Sequence, residues 1–302
     1  MSILVVGSVA FDSIKTPFGE VSEVLGGSAT YFSTAASYFC DVKLVAVVGE
    51  DFPDEHIETL KGRGIDVSAL KRVPGRTFRW KGYYEYDLNQ AHTLETELNV
   101  FSDFSPEIPR GHGDSPFLFL ANIDPELQMK VLEQVRRPKL VACDTMNLWI
   151  ENKPDALRKL LGKVEICVIN EGEARELAGE ASLVKAAKKI MALGPRTLIV
   201  KRGEYGAVMF SSSFIFSAPA YPLEEIFDPT GAGDSFAGGF MGYLSNTGDL
   251  SDENLRRAII FGSVMASFNV EAFSLERLGS LEQEEIRSRY MEFKKLTHFG
   301  DI

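Results

Sequence analysis

Asp228-Pro229-Thr230-Gly231-Ala232-Gly233-Asp234-Ser235-Phe236-Ala237-Gly238-Gly239-Phe240 is a turn-prone run of small residues that leads into a helix with a carboxylate in its first turn. The Gly231-Ala232-Gly233 step leaves almost no side chain between the backbone N–H groups and an approaching anion. A helix start adds unpaired donors and the positive end of a dipole. Asp234 therefore stands beside a place suited to phosphate. There it can take a proton from an alcohol while the amides of Gly231, Ala232 and Gly233 hold a phosphoryl group in transit. The chemistry this pattern supports is phosphoryl transfer to a hydroxyl. An ordinary loop followed by a capped helix is the plainer reading of a lone Gly-x-Gly-Asp, since Asp is common near helix starts.

Outward from this run, apolar stretches of strand length alternate with helix-like segments. Strands are expected at 3–7, 43–48, 117–121, 140–144, 164–170 and 197–201, with little polar alternation, as in strands buried on both faces. Helices are expected at 28–39, 53–63, 125–135, 171–178 and 182–193, the last ended by Gly194-Pro195, with long helices at 233–245 and 251–269. The order predicts an α/β fold, a doubly wound and mostly parallel sheet flanked by helices. One region departs from it. Phe78, Trp80, Tyr84 and Tyr86 alternate with Arg79, Lys81, Glu85 and Asp87, Asn89-Gln90 marks a turn, and Leu94, Leu98 and Val100 alternate with polar residues. This predicts an antiparallel hairpin covered on one face, either on the main sheet's edge or separate from it. Residues 110–114 read as an exposed loop.

The 302 residues suffice for one large α/β domain, and 45% hydrophobic with 25% charged residues is an ordinary globular balance. A net charge of −11 argues against nucleic acid held by general electrostatics, and an anionic nucleotide would need local help from Mg²⁺, amides and a few basic side chains. No apolar run approaches the ~20 residues that span a bilayer, and no signal peptide is visible. Cys40, Cys143 and Cys167 are widely spaced and fit neither a disulfide framework nor a zinc site. A cytoplasmic protein with no membrane partner is expected. The four histidines, His56, His92, His112 and His298, form no metal-ligand or triad pattern and are expected to be solvated. The phosphate-binding patterns Gly-x-Gly-x-x-Gly and Gly-x-x-x-x-Gly-Lys-[Ser/Thr] are both absent.

The run from Asp228 to Phe240 resembles the second signature of the PfkB carbohydrate kinase family, the ribokinase-like sugar and nucleoside kinases. The resemblance implies that Asp234 is the catalytic base, that ATP with Mg²⁺ is the donor, and that the acceptor is a small sugar. A nucleoside is the alternative, with Tyr31, Trp80, Tyr84 and Tyr86 available to stack on a base. A catalytically silent sugar or nucleotide sensor is a further alternative, against which the retained Asp234 and Glu173 argue. Asn170-Glu171-Gly172-Glu173 follows a buried strand and opens a helix. On the residues alone it is a capped helix start. Its spacing resembles the family's Asn-x-x-Glu motif, which implies that Asn170 and Glu173 tend the phosphates and Mg²⁺, Glu173 through water. Lys201, Gly203 and Gly206 fall where the family has an ATP-contacting loop, and Ser263 where it flanks the adenine.

Gly26-Gly27-Ser28-Ala29-Thr30 resembles the family's first signature, which implies backbone contact with a sugar hydroxyl. Thr30-Tyr31 stands where the family usually has an Asn. Asp12 matches an Asp that accepts hydrogen bonds from two sugar hydroxyls. Asp228 and Thr230 match a loop that implies a monovalent cation, K⁺, beside the anion hole. Asp144-Thr145-Met146-Asn147 also ends a strand and could reach the same crevice. Within a single domain, 1–302, segments 13–25 and 73–103 match a lid over the acceptor site that also offers an apolar face for a homodimer.

Overall fold

The computed structural model describes residues 1–298 and residue 300. In chain order the strands are β1 (Ser2–Val6), β2 (Ala10–Thr16), β3 (Gly19–Gly26), β4 (Asp41–Gly49), β5 (Ile65–Val73), β6 (Phe78–Tyr84), β7 (Ala91–Glu97), β8 (Phe117–Leu120), β9 (Leu140–Asp144), β10 (Ile166–Asn170), β11 (Thr197–Lys201), β12 (Ala207–Ser211) and β13 (Ile215–Ala218). The helices are α1 (Ser28–Ala36), α2 (Asp54–Gly62), α3 (Pro125–Leu132), α4 (Asn147–Asn152), α5 (Pro154–Leu161), α6 (Glu171–Ala178), α7 (Leu183–Met191), α8 (Ala232–Thr247), α9 (Asp252–Asn269) and α10 (Gln283–Thr297).

Nine strands make the main sheet in the order β13-β12-β11-β10-β9-β8-β1-β4-β5. From β11 to β5 every neighbouring pair is parallel, and β12 and β13 close one edge antiparallel. Parallel strands need helical crossovers on both faces, so β8 and β9 are buried throughout their length. The expected fold class is the one observed.

Two elements that escaped the sequence reading lack a continuous apolar run. In β5, Ile65, Val67 and Ala69 are buried while Asp66 and Ser68 face water, the alternation of an edge strand covered on one side only. α10 buries Ile286 and Phe293 and is otherwise largely charged. The 110–114 segment is not wholly exposed. His112, expected to be solvated, is buried with Nε2 3.4 Å from both Ser68 Oγ and Asp66 Oδ2.

Four strands form a second sheet in the order β3-β2-β6-β7. The expected hairpin β6–β7 is antiparallel, but β2 and β6 run parallel, so the sheet is mixed. Its strands come from both sides of the first crossover, 10–26 and 78–97, close to the expected segments.

Small residues in α8 fix how the two glycine-rich signatures meet. A Cβ on Gly238 would stand 2.4 Å from the Phe32 carbonyl oxygen, and one on Gly242 3.0 Å from Ala36. Only glycine allows α1 and α8 to approach this closely. The approach places the start of α1, with Gly26 and Tyr31, beside the start of α8.

Candidate active site

The bend before α8 is held from several sides. Gly231 is the N-cap, in the left-handed region at φ 75°, and a Cβ there would lie 2.3 to 2.5 Å from ring carbons of Tyr31. Both the backbone angle and the packing therefore require glycine. Asp228 is buried, its Oδ1 accepting from the Thr230 N–H at 2.8 Å and its Oδ2 from the Ser274 N–H at 3.2 Å. Asn269 donates to the Thr230 carbonyl at 2.7 Å and accepts from the Ser235 hydroxyl at 2.9 Å. The Ala232 N–H turns back to the Pro229 carbonyl at 3.2 Å. This corrects the expectation that three successive amides face the anion. Among the described residues, the N–H groups of Gly231 and Gly233 have no acceptor.

Asp234, half-buried in the first turn of α8, stands with the carboxyl ends of β9, β10 and β11. Such ends are where open α/β sheets bind ligands. Lys201, at the end of β11, places Nζ 2.8 Å from Asp144 Oδ2 at the end of β9. A Cβ on Gly233 would be 2.8 Å from the same nitrogen, so the glycine leaves the lysine its path to the bend. Burial pushes Asp234 up to about 8, Asp144 adds to the rise, and Lys201 opposes it. Burial also pushes Glu173 up to about 7, against the pull of Lys201. Burial works against the charge of Lys201, yet the carboxylates of Asp144, Glu173 and Asp234 hold its proton above the usual lysine range. One cation thus serves three acids.

Asn170 and Glu173 form a reciprocal capping box. Asn170 Oδ1 accepts from the Glu173 N–H at 2.8 Å, and Glu173 Oε2 from the Asn170 N–H at 2.9 Å. The plainer reading of this motif is therefore present in the structure, and it leaves Glu173 Oε1 for other use. Among the described residues no group of three or more His, Cys, Asp or Glu gathers to hold a metal alone. What is present fits a hard cation held largely by water and phosphate: the buried Glu173 carboxylate and the buried Thr145 hydroxyl, which has no partner.

On the other side of Asp234, Asp12 is 4% exposed, and a Cβ on Gly26 would stand 1.9 Å from its Oδ2. The absent side chain is what makes room for this carboxylate. Burial, and then the charge of Asp228, push Asp12 up to about 7, while the Gly27 N–H pulls the other way. Tyr84, from β6, brings its hydroxyl to 3.2 Å from Thr230 Oγ1. Thr30 is fully buried, with a hydroxyl that has no partner. Tyr86 is 89% exposed and does not take part, contrary to the stacking role considered for it.

Gly203 meets the second sheet. A Cβ there would overlap Asn89 Oδ1, 1.6 Å away, and Asn89 Oδ1 accepts from the Glu204 N–H at 3.2 Å. The loop is held from behind by Arg202, whose Nε lies 2.6 Å from Glu171 Oε2. Gly206 serves the turn: at φ +85, a Cβ on it would be 2.1 Å from the Ala218 carbonyl oxygen. Ser263 is buried in α9. Sequence reasoning read Asn89 only as a turn residue, and nothing local signals its partner 115 residues away.

Residues 2–277 match the family described as pfkB family carbohydrate kinase. The chain is 32% identical over 247 residues to a cytidine kinase of Thermococcus kodakarensis, an alignment covering 80% of this chain and 87% of that protein. It is 22% identical to an inositol 3-kinase of Arabidopsis thaliana, over 97% of this chain and 80% of that one. In fold it is similar to the aminoimidazole riboside kinase of Salmonella enterica, with a TM-score of 0.78 at 18% identity, covering 96% of this chain and 100% of that one. The chain belongs to the pfkB family of carbohydrate kinases and is a phosphotransferase of the sugar and nucleoside kinase kind.

Proposed function

We propose that Asp234 is the base of this kinase, taking the proton from an acceptor hydroxyl as that oxygen attacks the γ-phosphorus of ATP and ADP departs. The observation that carries the reading is the placement of Asp234: in the first turn of α8, beside the free N–H groups of Gly231 and Gly233, and in the field of Lys201. A carboxyl raised to about 8 is a stronger base than a free aspartate and is still partly ionised near neutral pH. The Gly231 and Gly233 amides and Lys201 stabilise charge on the transferred group, and Asp12 orients the acceptor by accepting from two of its hydroxyls. Mg²⁺, when bound with the nucleotide, neutralises charge on the phosphate oxygens, and Glu173 and Asn170 are the residues that would tend it. Lys201 and the 203–206 loop border the nucleotide, with Gly203 as the seat of the second sheet. That sheet acts as a lid within one domain and excludes water that would otherwise accept the phosphoryl group.

A small sugar is the first reading of the acceptor. The likeness to a cytidine kinase favours a nucleoside as the second. Asp228 shapes the loop beside which K⁺ would sit. The exposed Leu94 and Phe18 of the second sheet give a homodimer its apolar contact. Three free thiols accord with a cytoplasmic location. Release of ADP from Mg-ATP, measured across a panel of sugars and nucleosides with K⁺ or Na⁺, tests the function. Turnover with no member of the panel would contradict it.

A further inference from the structure

We infer that the acceptor is an uncharged polyol and that the Tyr31 hydroxyl hydrogen-bonds one of its oxygens; the inference rests on the kinase reading and narrows the substrate class of the same site.

Tyr31 is 1% exposed, and its hydroxyl has no hydrogen-bond partner among the described residues. A buried polar group left unpaired costs about 1–3 kcal/mol, and such groups are rare without a bound partner. The phenol is built into the wall of the site, because its ring lies against Gly231 at the bend. The polar groups whose fields reach it are Asp12, Asp228, Tyr84 and Asp234. Two of these are already engaged. Tyr84 is bonded to Thr230, and both oxygens of Asp228 accept backbone N–H groups. The Tyr31 hydroxyl and the Asp12 carboxylate remain for a ligand. A phenolic O–H that can donate or accept, next to a carboxylate that accepts, matches neighbouring hydroxyls, each of which does both.

The charge balance excludes a further class. Asp12, Asp228 and Asp234 lie around the phenol, and two cations at the border, Lys201 and Arg79, are engaged. Lys201 pairs with Asp144 and faces the transferred phosphoryl group. Arg79, over the ring of Phe11, is held by Glu23, Asp51 and the Thr77 carbonyl. An acceptor carrying its own phosphate or carboxylate would enter this field against like charge, with Lys201 and Arg79 already engaged. Sugar phosphates and sugar acids are therefore rejected, although their hydroxyls are chemically equivalent.

The test uses Mg-ATP with ribose, cytidine and myo-inositol, and with fructose 6-phosphate and 2-dehydro-3-deoxygluconate as anionic counterparts. ADP release is expected with a neutral acceptor, with kcat/KM for both anions lower by about 100-fold or more. For the best neutral acceptor, Tyr31→Phe is expected to raise KM about tenfold, with a smaller change in kcat and an unchanged ATP Kd. Among the single-deoxy analogues of that acceptor, one is expected to respond equally to wild type and variant, because each has lost the same hydrogen bond. Efficient use of either anion overturns the inference. So does a Tyr31→Phe enzyme that keeps its KM and treats every deoxy analogue as the wild type does. ADP release with none of these acceptors counts against the kinase reading itself and takes the inference with it.

Discussion

Asn89, at the turn between β6 and β7, and Glu204, in the loop after β11, are bonded to each other across 115 residues of chain. Asn89 Oδ1 accepts from the Glu204 N–H at 3.2 Å, and Nδ2 lies 3.4 Å from Glu204 Oε1. The contact seats the tip of the second sheet on a loop that starts from Lys201. In the proposed reading, closure of the second sheet is thus tied to the position of this loop.

Gly203→Ala places a methyl group where Asn89 Oδ1 now lies, and its φ of 55° disfavours any side chain. The second sheet should then close incompletely and admit water. Hydrolysis of ATP without acceptor is expected to rise severalfold relative to acceptor phosphorylation, and Asn89→Ala should give a smaller rise. An unchanged ratio in both variants would separate the contact from water exclusion.

The kinetic pH profile follows from the position of Asp234. A base must be ionised, and burial with the charge of Asp144 raises this carboxyl to about 8. The kcat/KM for the acceptor should therefore climb with pH and level off above about 8. Asp144→Asn removes a like charge and frees Lys201, and both effects lower the pKa, so the rising limb should move to lower pH. Lys201→Gln removes the opposing cation and should move it to higher pH. Identical limbs in all three enzymes would assign the titration to another group.

Stability of the unligated protein carries the opposite sign. Asp12 rises from an ordinary 3.8 to about 7 on folding, so the folded state binds its proton more tightly than the unfolded chain does. The stability this gives is fully present below about pH 4 and is lost as pH rises through 7. Asp12→Asn keeps the shape without the charge. Its Tm is expected to exceed that of the wild type at pH 8.5 and to converge with it only below about pH 4, while the acceptor KM rises about tenfold or more. A constant Tm difference across this range would mean that Asp12 is not strained by its burial.

Much of the molecule is legible in the chain where one physical signal dominates. Leu140–Asp144 and Thr197–Lys201 are continuous apolar runs ended by a charged residue, and both are strands with those bounds. Glu171–Ala178 begins at the capping box that Asn170 and Glu173 announce. The strand β5 is less legible because its burial alternates, and β12 because it turns back antiparallel between β11 and β13 and breaks the strand–helix alternation. At the site, the glycine-rich run pointed to Asp234 and the family resemblance to Lys201, Glu173 and Asp12; Asp234 lies in the fields of Lys201 and Asp12, and Lys201 in that of Glu173. The loss of the Ala232 donor to Pro229 depends on the exact turn of the bend. The meeting of Asn89 with Gly203 depends on tertiary docking, for which neither segment carries a local signal.

The central claim is that Asp234 removes the acceptor proton while the adjoining bend holds the phosphoryl group. Single-turnover phosphorylation of the best acceptor by Asp234→Asn, with ATP affinity measured on the same preparation, tests it most directly. The rate is expected to fall by roughly 10²–10⁴-fold, with the ATP Kd nearly unchanged. A rate within a few fold of the wild type would contradict it.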